Sequence, residues 1–270
     1  MKLKQLIAAL ALVAAGSAHA AIDNGNSTDG TGSLFLVVTD TTAGYSFVGD
    51  LGVGMDGFIA SSAAMASGSS TTWNLAGFSA WTPFVGAIGG DLTNAKYAVY
   101  SLDNVGATTT VEAKRLLTTV AAGDDVSGYT TTNSKLVAAV GTANGTTWLV
   151  SGVQADAKNA MNDHDTVADG SSYTNNSAAY AQAKIGDKLG NNMPFVTTVA
   201  AADTADFWLL GNSSSATLAQ ANLYQQAGQF SLSGDTLAYS VTAVPEPETY
   251  ALMLAGLGLV GFMARRRKAA

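Results

Sequence analysis

Short runs of apolar residues recur along the middle of the chain, separated by loops rich in Gly, Ser, Thr, Asn and Asp. Within residues 34–38 both alternating faces are apolar, and a second run at 45–48 follows a turn that contains Gly44. A period of two between side chains is typical of β-strands. Further strands are predicted at Lys96 to Leu102, Arg115 to Val120, Thr146 to Ser151, and Asp206 to Leu210.

The clearest hairpin is predicted near residue 235. Phe230 precedes the pair Gly234-Asp235, and alternation resumes at Leu237; a two-residue connection of this kind favours the primed turns that match strand twist. Two short segments, Gly152 to Asn162 and Ser177 to Leu189, instead show helical spacing. The pattern therefore predicts a mainly β protein, an antiparallel β-sandwich or jelly-roll-like body with a short helical insertion at 152–190.

Three polar or glycine-rich segments are predicted to be loops. Residues Gly52 to Gly57 match G-x-G-x-x-G, but the Ala/Ser/Thr-rich run at 60–72 has no convincing strand after it, unlike a dinucleotide site. We interpret this motif as a glycine-rich turn. Residues 123–125 and 171–176 are predicted to be loops because they lack apolar periodicity.

The first twenty residues have the order of a secretory signal peptide. A positive start is followed by an apolar run at 6–15 that is too short to span a bilayer, and small residues stand at Ala18 and Ala20. Signal peptidase recognises small residues at such a site. We therefore predict a signal peptide over residues 1–20 and a mature chain that begins at Ala21.

Residues 244–270 have three parts. The segment Val244-Pro245-Glu246-Pro247-Glu248 cannot continue a helix or an inner strand, because each proline fixes φ and lacks an N–H donor. Residues 251–264 are apolar; as a helix they would be about 21 Å long, shorter than a hydrocarbon core of about 30 Å. The chain then carries Arg265, Arg266, Arg267 and Lys268, which stay on the cytoplasmic side. We predict a C-terminal hydrophobic helix that inserts transiently in the inner membrane.

The order of these parts resembles the PEP-CTERM sorting signal of Gram-negative bacteria. The resemblance rests on Val244 to Thr249, the apolar run and the arginine cluster, and it covers about a tenth of the chain. It implies processing by a membrane-embedded exosortase near Pro245-Glu246-Pro247, with release to the cell surface or the extracellular matrix. Family members typically accompany exopolysaccharide production. The resemblance implies an address and no particular activity.

Charge in the body, residues 21–243, is one-sided. Six of the 13 basic residues and two of the 20 acidic residues lie in the two ends. The body therefore has seven basic and eighteen acidic side chains, a net charge of −11. Such a surface repels nucleic acid and anionic lipid, so we expect neither as an electrostatic partner.

Residue types that carry catalytic and metal chemistry are scarce. The chain has no cysteine, which excludes thiol catalysis and zinc–thiolate sites. In the predicted mature chain His164 is the single histidine, and Glu112 is the one glutamate of the body. The acidic segment 162–170 does not place ligands where an EF-hand loop needs them, so we interpret it as a solvated loop, with a weak calcium site as the alternative. We predict no catalytic residue, metal site or cofactor.

Four tryptophans could stack on sugars. Trp148 and Trp208 lie in strand-like apolar runs and are predicted to be in the core, whereas Trp73 and Trp81 lie in a polar segment and are predicted at the surface. Exopolysaccharide is therefore one candidate partner, beside signal peptidase and an exosortase-like enzyme.

The first hypothesis is an exported, non-enzymatic surface or matrix protein with a structural or interaction role in the exopolysaccharide or biofilm layer. The alternatives are a carbohydrate-binding module and a secreted hydrolase. The absence of cysteine, the single histidine and the single body glutamate disfavour the hydrolase, although two aspartates could supply the carboxylate pair that most glycosidases need. A tryptophan-lined groove would favour the module. A bare, flat, Thr-rich surface or a long unpaired edge strand would favour the first hypothesis.

Overall fold

The computed structural model describes residues 32–40, 42–106, 110–126, 131–140, 170–174 and 199–242. Its strands are β1 Ser33–Asp40, β2 Tyr45–Gly54, β3 Ser70–Asn74, β4 Ala95–Asp103, β5 Arg115–Ala121, β6 Ser171–Thr174, β7 Val199–Ala200, β8 Thr204–Gly211, β9 Asn222–Ser233 and β10 Thr236–Val241. Its α-helices are α1 Met55–Ala63, α2 Trp81–Ala87 and α3 Asn133–Val140, and a 3₁₀ turn occupies Leu75–Gly77.

The ten strands of the described residues form one sheet, in the order β3-β10-β9-β8-β5-β4-β1-β2-β6. Every strand pair is antiparallel, and the short β7 pairs with β4 at Lys96 and Tyr97. The predicted hairpin is present, with Gly234 and Asp235 joining β9 to β10. The mainly antiparallel β prediction is confirmed.

The sheet is curled, so that strands distant in its order come into contact. Register shifts occur near Ser33 in β1 and between Asp206 and Trp208 in β8, and such bulges increase local twist. From the edge strand β3, the Trp73 indole N–H donates to the Leu51 carbonyl of β2 over 3.0 Å. The curl thus brings β3 toward a strand near the opposite edge.

Both faces of the sheet are apolar. Leu34, Leu36 and Val38 belong to a first cluster, which is covered by α1 and α2. The alternate residues Phe35 and Val37 belong to a second cluster, on which Leu136 and Val140 of α3 pack. Two apolar faces in one strand therefore reflect a sheet with helices on each side, as alternation along a strand requires.

The segment Gly52 to Gly57 is not a glycine-rich turn, and that prediction is wrong. Gly52 and Gly54 end β2, and Gly57 lies in the first turn of α1. The helix forms because Met55, Phe58 and Ser62, at helical spacing, are its buried residues. A strand, β3, also follows the Ala/Ser-rich run. However, β2 is antiparallel to both its neighbours, which differs from the parallel sheet of a dinucleotide fold.

A second loop prediction is also wrong in part. Ser171–Thr174 form β6, which pairs with Ser46 to Gly49 of β2. Its polar sequence has no period-two signal, and the strand forms through its pairing with β2. The predicted strand at 146–151, the two predicted helices at 152–162 and 177–189, and the C-terminal helix lie outside the described residues.

Candidate functional site

The residues of the predicted processing sites lie outside the described part of the chain; they are Ala18, Ala20 and Ala21, Val244 to Glu248, and Arg265 to Lys268. The residues directly before the sorting segment are described. The structure describes the chain up to Thr242, one residue after β10 ends. The structure therefore shows the geometry of the chain at Val241 and Thr242, directly before the sorting segment.

The end of β10 is held by the loop that precedes β3. The Gly68 N–H donates to the Val241 carbonyl over 2.9 Å, and the Val241 N–H donates to the Ser69 carbonyl over 3.0 Å. One residue further on, the Ser67 hydroxyl donates to the Thr242 carbonyl over 3.1 Å. These bonds fix the last residues of the body to a loop that the sequence did not single out.

This junction limits where the cleavage segment can lie. Pro245 is three residues beyond Thr242, and an extended chain spans at most about 3.6 Å per residue, or roughly 11 Å in all. A processing enzyme that acts near Pro245-Glu246-Pro247 therefore works close to the folded body.

Trp81 is not a surface residue, and that prediction is wrong. Trp81 is the first residue of α2 and is 1% exposed. The ring packs edge-on against Phe47, with centroids 5.0 Å apart, and its N–H donates to a carboxylate oxygen of Asp235 over 2.7 Å. The ring and the N–H of this indole are thus both in contact with other residues inside the protein, where a sugar ring cannot stack on it.

Trp73 is half-buried and packs against the first cluster. Its ring centroid is 6.1 Å from that of Phe230, and its N–H is the donor to the Leu51 carbonyl. Trp208 is also partly buried and packs against the second cluster, in line with its predicted core position. Trp148 lies outside the described residues.

Glu112, the one glutamate of the body, connects the segment before β5 to strands β8 and β9. Its φ is 60°, and its Oε1 accepts hydrogen bonds from Asn222 Nδ2 over 2.7 Å and from the Tyr224 hydroxyl over 3.2 Å. The carboxylate lies against Gly211, where a Cβ atom would be 1.7 Å from Oε2. Partial desolvation and the Glu112 charge raise the pKa of Tyr224. The contacts give Glu112 a structural part between β8 and β9.

Arg115 ties α1 to the sheet. Its Nε and Nη2 donate to Asp103 Oδ2 over 2.8 and 2.6 Å, and its Nη1 donates to Asp56 Oδ1 over 2.6 Å. Burial acts to lower the pKa of Arg115, but the two carboxylates outweigh it and raise the pKa above its usual value. The guanidinium is therefore engaged by Asp56 and Asp103.

No group of three or more His, Cys, Asp or Glu side chains in the described part of the chain could hold a metal ion. His164 and the acidic segment up to Asp169, in which a weak calcium site was the alternative, lie outside that part. In the same described ranges, no helix is long and apolar enough to cross a membrane.

Comparison with known proteins places the tail in a defined class. Residues 243–268 match the family model described as the PEP-CTERM protein-sorting motif. No curated protein and no solved structure matches the chain. The matched segment begins directly after the last described residue, Thr242. The C-terminal segment is therefore a PEP-CTERM protein-sorting motif, as the sequence predicts, and it implies export and processing by an exosortase-type system.

Proposed function

We propose that this chain is a non-enzymatic component of the extracellular polymer layer, delivered by its sorting motif and acting there through its β body. In this proposal signal peptidase removes residues 1–20 and an exosortase-type enzyme cuts near Pro245-Glu246-Pro247. The body then serves a structural or interaction role in the exopolysaccharide or biofilm layer.

The observation that carries the proposal is the sorting motif at 243–268, attached without a spacer to a folded body. Val241 and Thr242 are hydrogen-bonded to the loop at 67–69, and the matched segment begins at the next residue. Cleavage near the Pro-Glu-Pro segment would therefore release the sheet with all its described strands intact.

The two alternatives receive less support from the described residues. A carbohydrate-binding module was expected to use Trp73 and Trp81, but Trp81 is buried and the Trp73 N–H is bonded to Leu51. A hydrolase was expected to need two facing carboxylates, whereas Glu112 is occupied by Asn222 and Tyr224. The first observation counts against sugar stacking on these two tryptophans, and the second counts against glycoside hydrolysis at Glu112.

Two variants of the tail test the sorting part of the proposal. With Pro245, Glu246 and Pro247 replaced by Ala, we expect full-length protein to remain in the inner membrane, because the extended cleavage segment is lost. With Arg265, Arg266 and Arg267 replaced by Ser, we expect weaker retention and misplaced cleavage, because the charges that hold the C-terminus in the cytoplasm are gone. Cell fractionation followed by intact-mass measurement distinguishes these outcomes.

Replacing the same three arginines by Lys is the matched control, since it keeps the charge and should keep normal processing. The released wild-type protein should begin at Ala21 and end near Glu246. Release of a chain that still carries residues 251–270 would contradict the proposal, and so would normal processing of the variant with three alanines.

A further inference from the structure

The strand β3 is an edge of the sheet and offers backbone hydrogen-bonding groups to a partner. Leu75 N–H donates to Asp235 O, and Val241 N–H donates to Ser69 O, so the odd-numbered residues of β3 are those bonded to β10. In an antiparallel ladder the bonded and non-bonded pairs alternate. The N–H and C=O groups of Ser70, Thr72 and Asn74 therefore point away from β10.

The side chains at this edge are accessible and uncharged. Ser70, Thr72 and Asn74 are exposed, whereas Thr71 and Trp73 are half-buried. Natural proteins commonly protect an edge strand with a charge, a proline or a bulge. Ser70-Thr71-Thr72-Trp73-Asn74 contains no charge and no proline, and its register with β10 has no shift. This edge is open to pairing with another strand.

The other end of the sheet does not offer the same surface. Ser171, Ser172 and Tyr173 of β6 are buried, and the Ser171 hydroxyl accepts a hydrogen bond from the Ala80 N–H. Of the two edge strands in the described sheet, β3 is the one that presents its side chains to solvent.

We propose that β3 pairs with β3 of a second copy of this chain, antiparallel, about a two-fold axis at Thr72. A two-fold contact uses the same patch on both copies, and β3 is suited to this because its outward-facing residues are spaced evenly around Thr72. In this register Thr72 faces Thr72, and Ser70 faces Asn74 of the other copy. All three outward N–H groups and all three outward C=O groups on each strand then gain partners.

Charge supports a second copy as the occupant. The body has a net charge of −11 by its composition, which would oppose contact between copies at most of its surface. Residues 57–90, which contain β3 and α2, include no charged side chain. β3 and its sequence neighbours on both sides therefore add no charge to a contact between two copies of this acidic body.

The sorting tail of the same chain is a poorer occupant of this edge. It leaves β10 at Thr242, beside the start of β3, so it is near enough to reach. However, Pro245 and Pro247 have no N–H to donate to a ladder. A second β3 has no such gap in its donors.

Cysteine pairing tests the contact in the full chain, which contains no cysteine of its own. The chain carrying Thr72→Cys, exported by cells into their oxidising compartment, should form a disulfide-linked dimer on a non-reducing gel. Directly opposed residues of a hydrogen-bonded pair have Cα atoms about 5.5 Å apart, within the range that a disulfide spans. Thr204→Cys, at an exposed position of β8, is the control and should remain monomeric.

The register gives a sharper test. Co-expressed chains carrying Ser70→Cys and Asn74→Cys should link to each other, while each variant alone should give several-fold less dimer. Like residues at position 70 would be four residues apart along the pair, about 13 Å, too far for a disulfide. Equal dimer from Thr72→Cys and Thr204→Cys would overturn the proposal. So would efficient linking of Ser70→Cys with itself, or a disulfide to a different protein.

This inference rests on the proposed function only for the place of assembly outside the inner membrane. Fractionation of the same cells separates the two ideas. Correctly sorted Thr72→Cys protein that stays monomeric would defeat the pairing and leave the sorting proposal standing. Dimer found in protein that is never processed would defeat the sorting proposal and leave the pairing standing.

Discussion

At the residue scale, two tyrosines of β4 differ in the effect of their hydroxyl groups: one stabilises the core and the other destabilises it. The Tyr97 hydroxyl lies 3.0 Å from both the Asp203 and the Phe230 carbonyl oxygens. Tyr100 lies on the opposite face, 1% exposed, and its hydroxyl has no hydrogen-bond partner among the described residues. A buried polar group without a partner lowers the free energy of unfolding, because it has lost the hydrogen bonds that water makes to it in the unfolded chain.

Tyr100→Phe should therefore raise the free energy of unfolding, by about 1 kcal/mol, because it removes an unsatisfied hydroxyl and keeps the ring. Tyr97→Phe makes the same chemical change and is its matched control. It should lower the free energy of unfolding by about 1–3 kcal/mol, since it removes the hydroxyl that hydrogen-bonds to the Asp203 and Phe230 carbonyl oxygens. Urea unfolding of both variants measures the difference, and equal effects of the two changes would contradict this account.

The small and polar residues around Trp81 obscured its burial. They hid the spacing of three between the aromatic residues Phe78, Trp81 and Phe84, which is the local sign of a buried helical face. The environment of Trp81 is provided by Phe47 of β2 and by Asp235 of the β9–β10 turn. Both are far away along the chain, so a local pattern carries no information about them.

At the scale of elements, two glycines show how packing decides the cost of a side chain. Gly228 of β9 lies under the Tyr239 ring of β10, where an added Cβ atom would be 2.6 Å from the ring and 2.8 Å from the Ser240 carbonyl oxygen. The Gly228 N–H also donates to the Tyr239 hydroxyl over 2.9 Å. Gly86 of α2, by contrast, has open space where a Cβ atom would be.

Gly228→Ala is expected to lower the free energy of unfolding by about 1–3 kcal/mol, because the β9–β10 hairpin must shift to make room. Gly86→Ala should raise it by about 0.5–1 kcal/mol, because Ala loses less backbone entropy than Gly in a helix. Thermal or urea unfolding provides the measurement. A Gly228→Ala variant as stable as the wild type would show that the hairpin is less tightly packed than the structure indicates.

The same scale explains which elements the pattern could predict. The runs at 34–38, 115–120 and 206–210 each became strands because their own side chains alternate between two apolar faces. Ser171–Thr174 has no such alternation and forms a strand only because β2 provides a ladder beside it. The helix α1 was missed because glycines at its start obscured the spacing of its buried residues.

Across the whole molecule, buried phenols link stability to alkaline pH. Burial raises the pKa of Tyr97, Tyr100 and Tyr239 above the ordinary value of 10.0. In the unfolded chain these groups ionise near pH 10, while the folded protein keeps them neutral. Because the folded-state pKa is the higher one, their contribution to stability is fully present below pH 10 and is lost as the pH rises above it.

We therefore expect the free energy of unfolding to fall as the pH rises above about 10. Surface carboxylates cannot cause this fall, because they are already ionised at that pH. Tyr100→Phe should make this fall shallower, since one raised pKa is removed. Urea titrations at a series of pH values measure the slope. An unchanged slope in Tyr100→Phe would show that this phenol can ionise in the folded state.

The chain's sequence by itself determined its sorting and the mainly β character of its body. Those properties depend on residues near one another: the order Pro-Glu-Pro, apolar run and basic cluster at the C-terminus, and alternation within single strands. Only the tertiary structure decided that Trp81 is buried, that β3 is an accessible edge, and that Thr242 is hydrogen-bonded to the loop before β3. Each of these depends on which strands lie side by side in the curled sheet, and such contacts join residues too far apart in the chain for a local pattern to record.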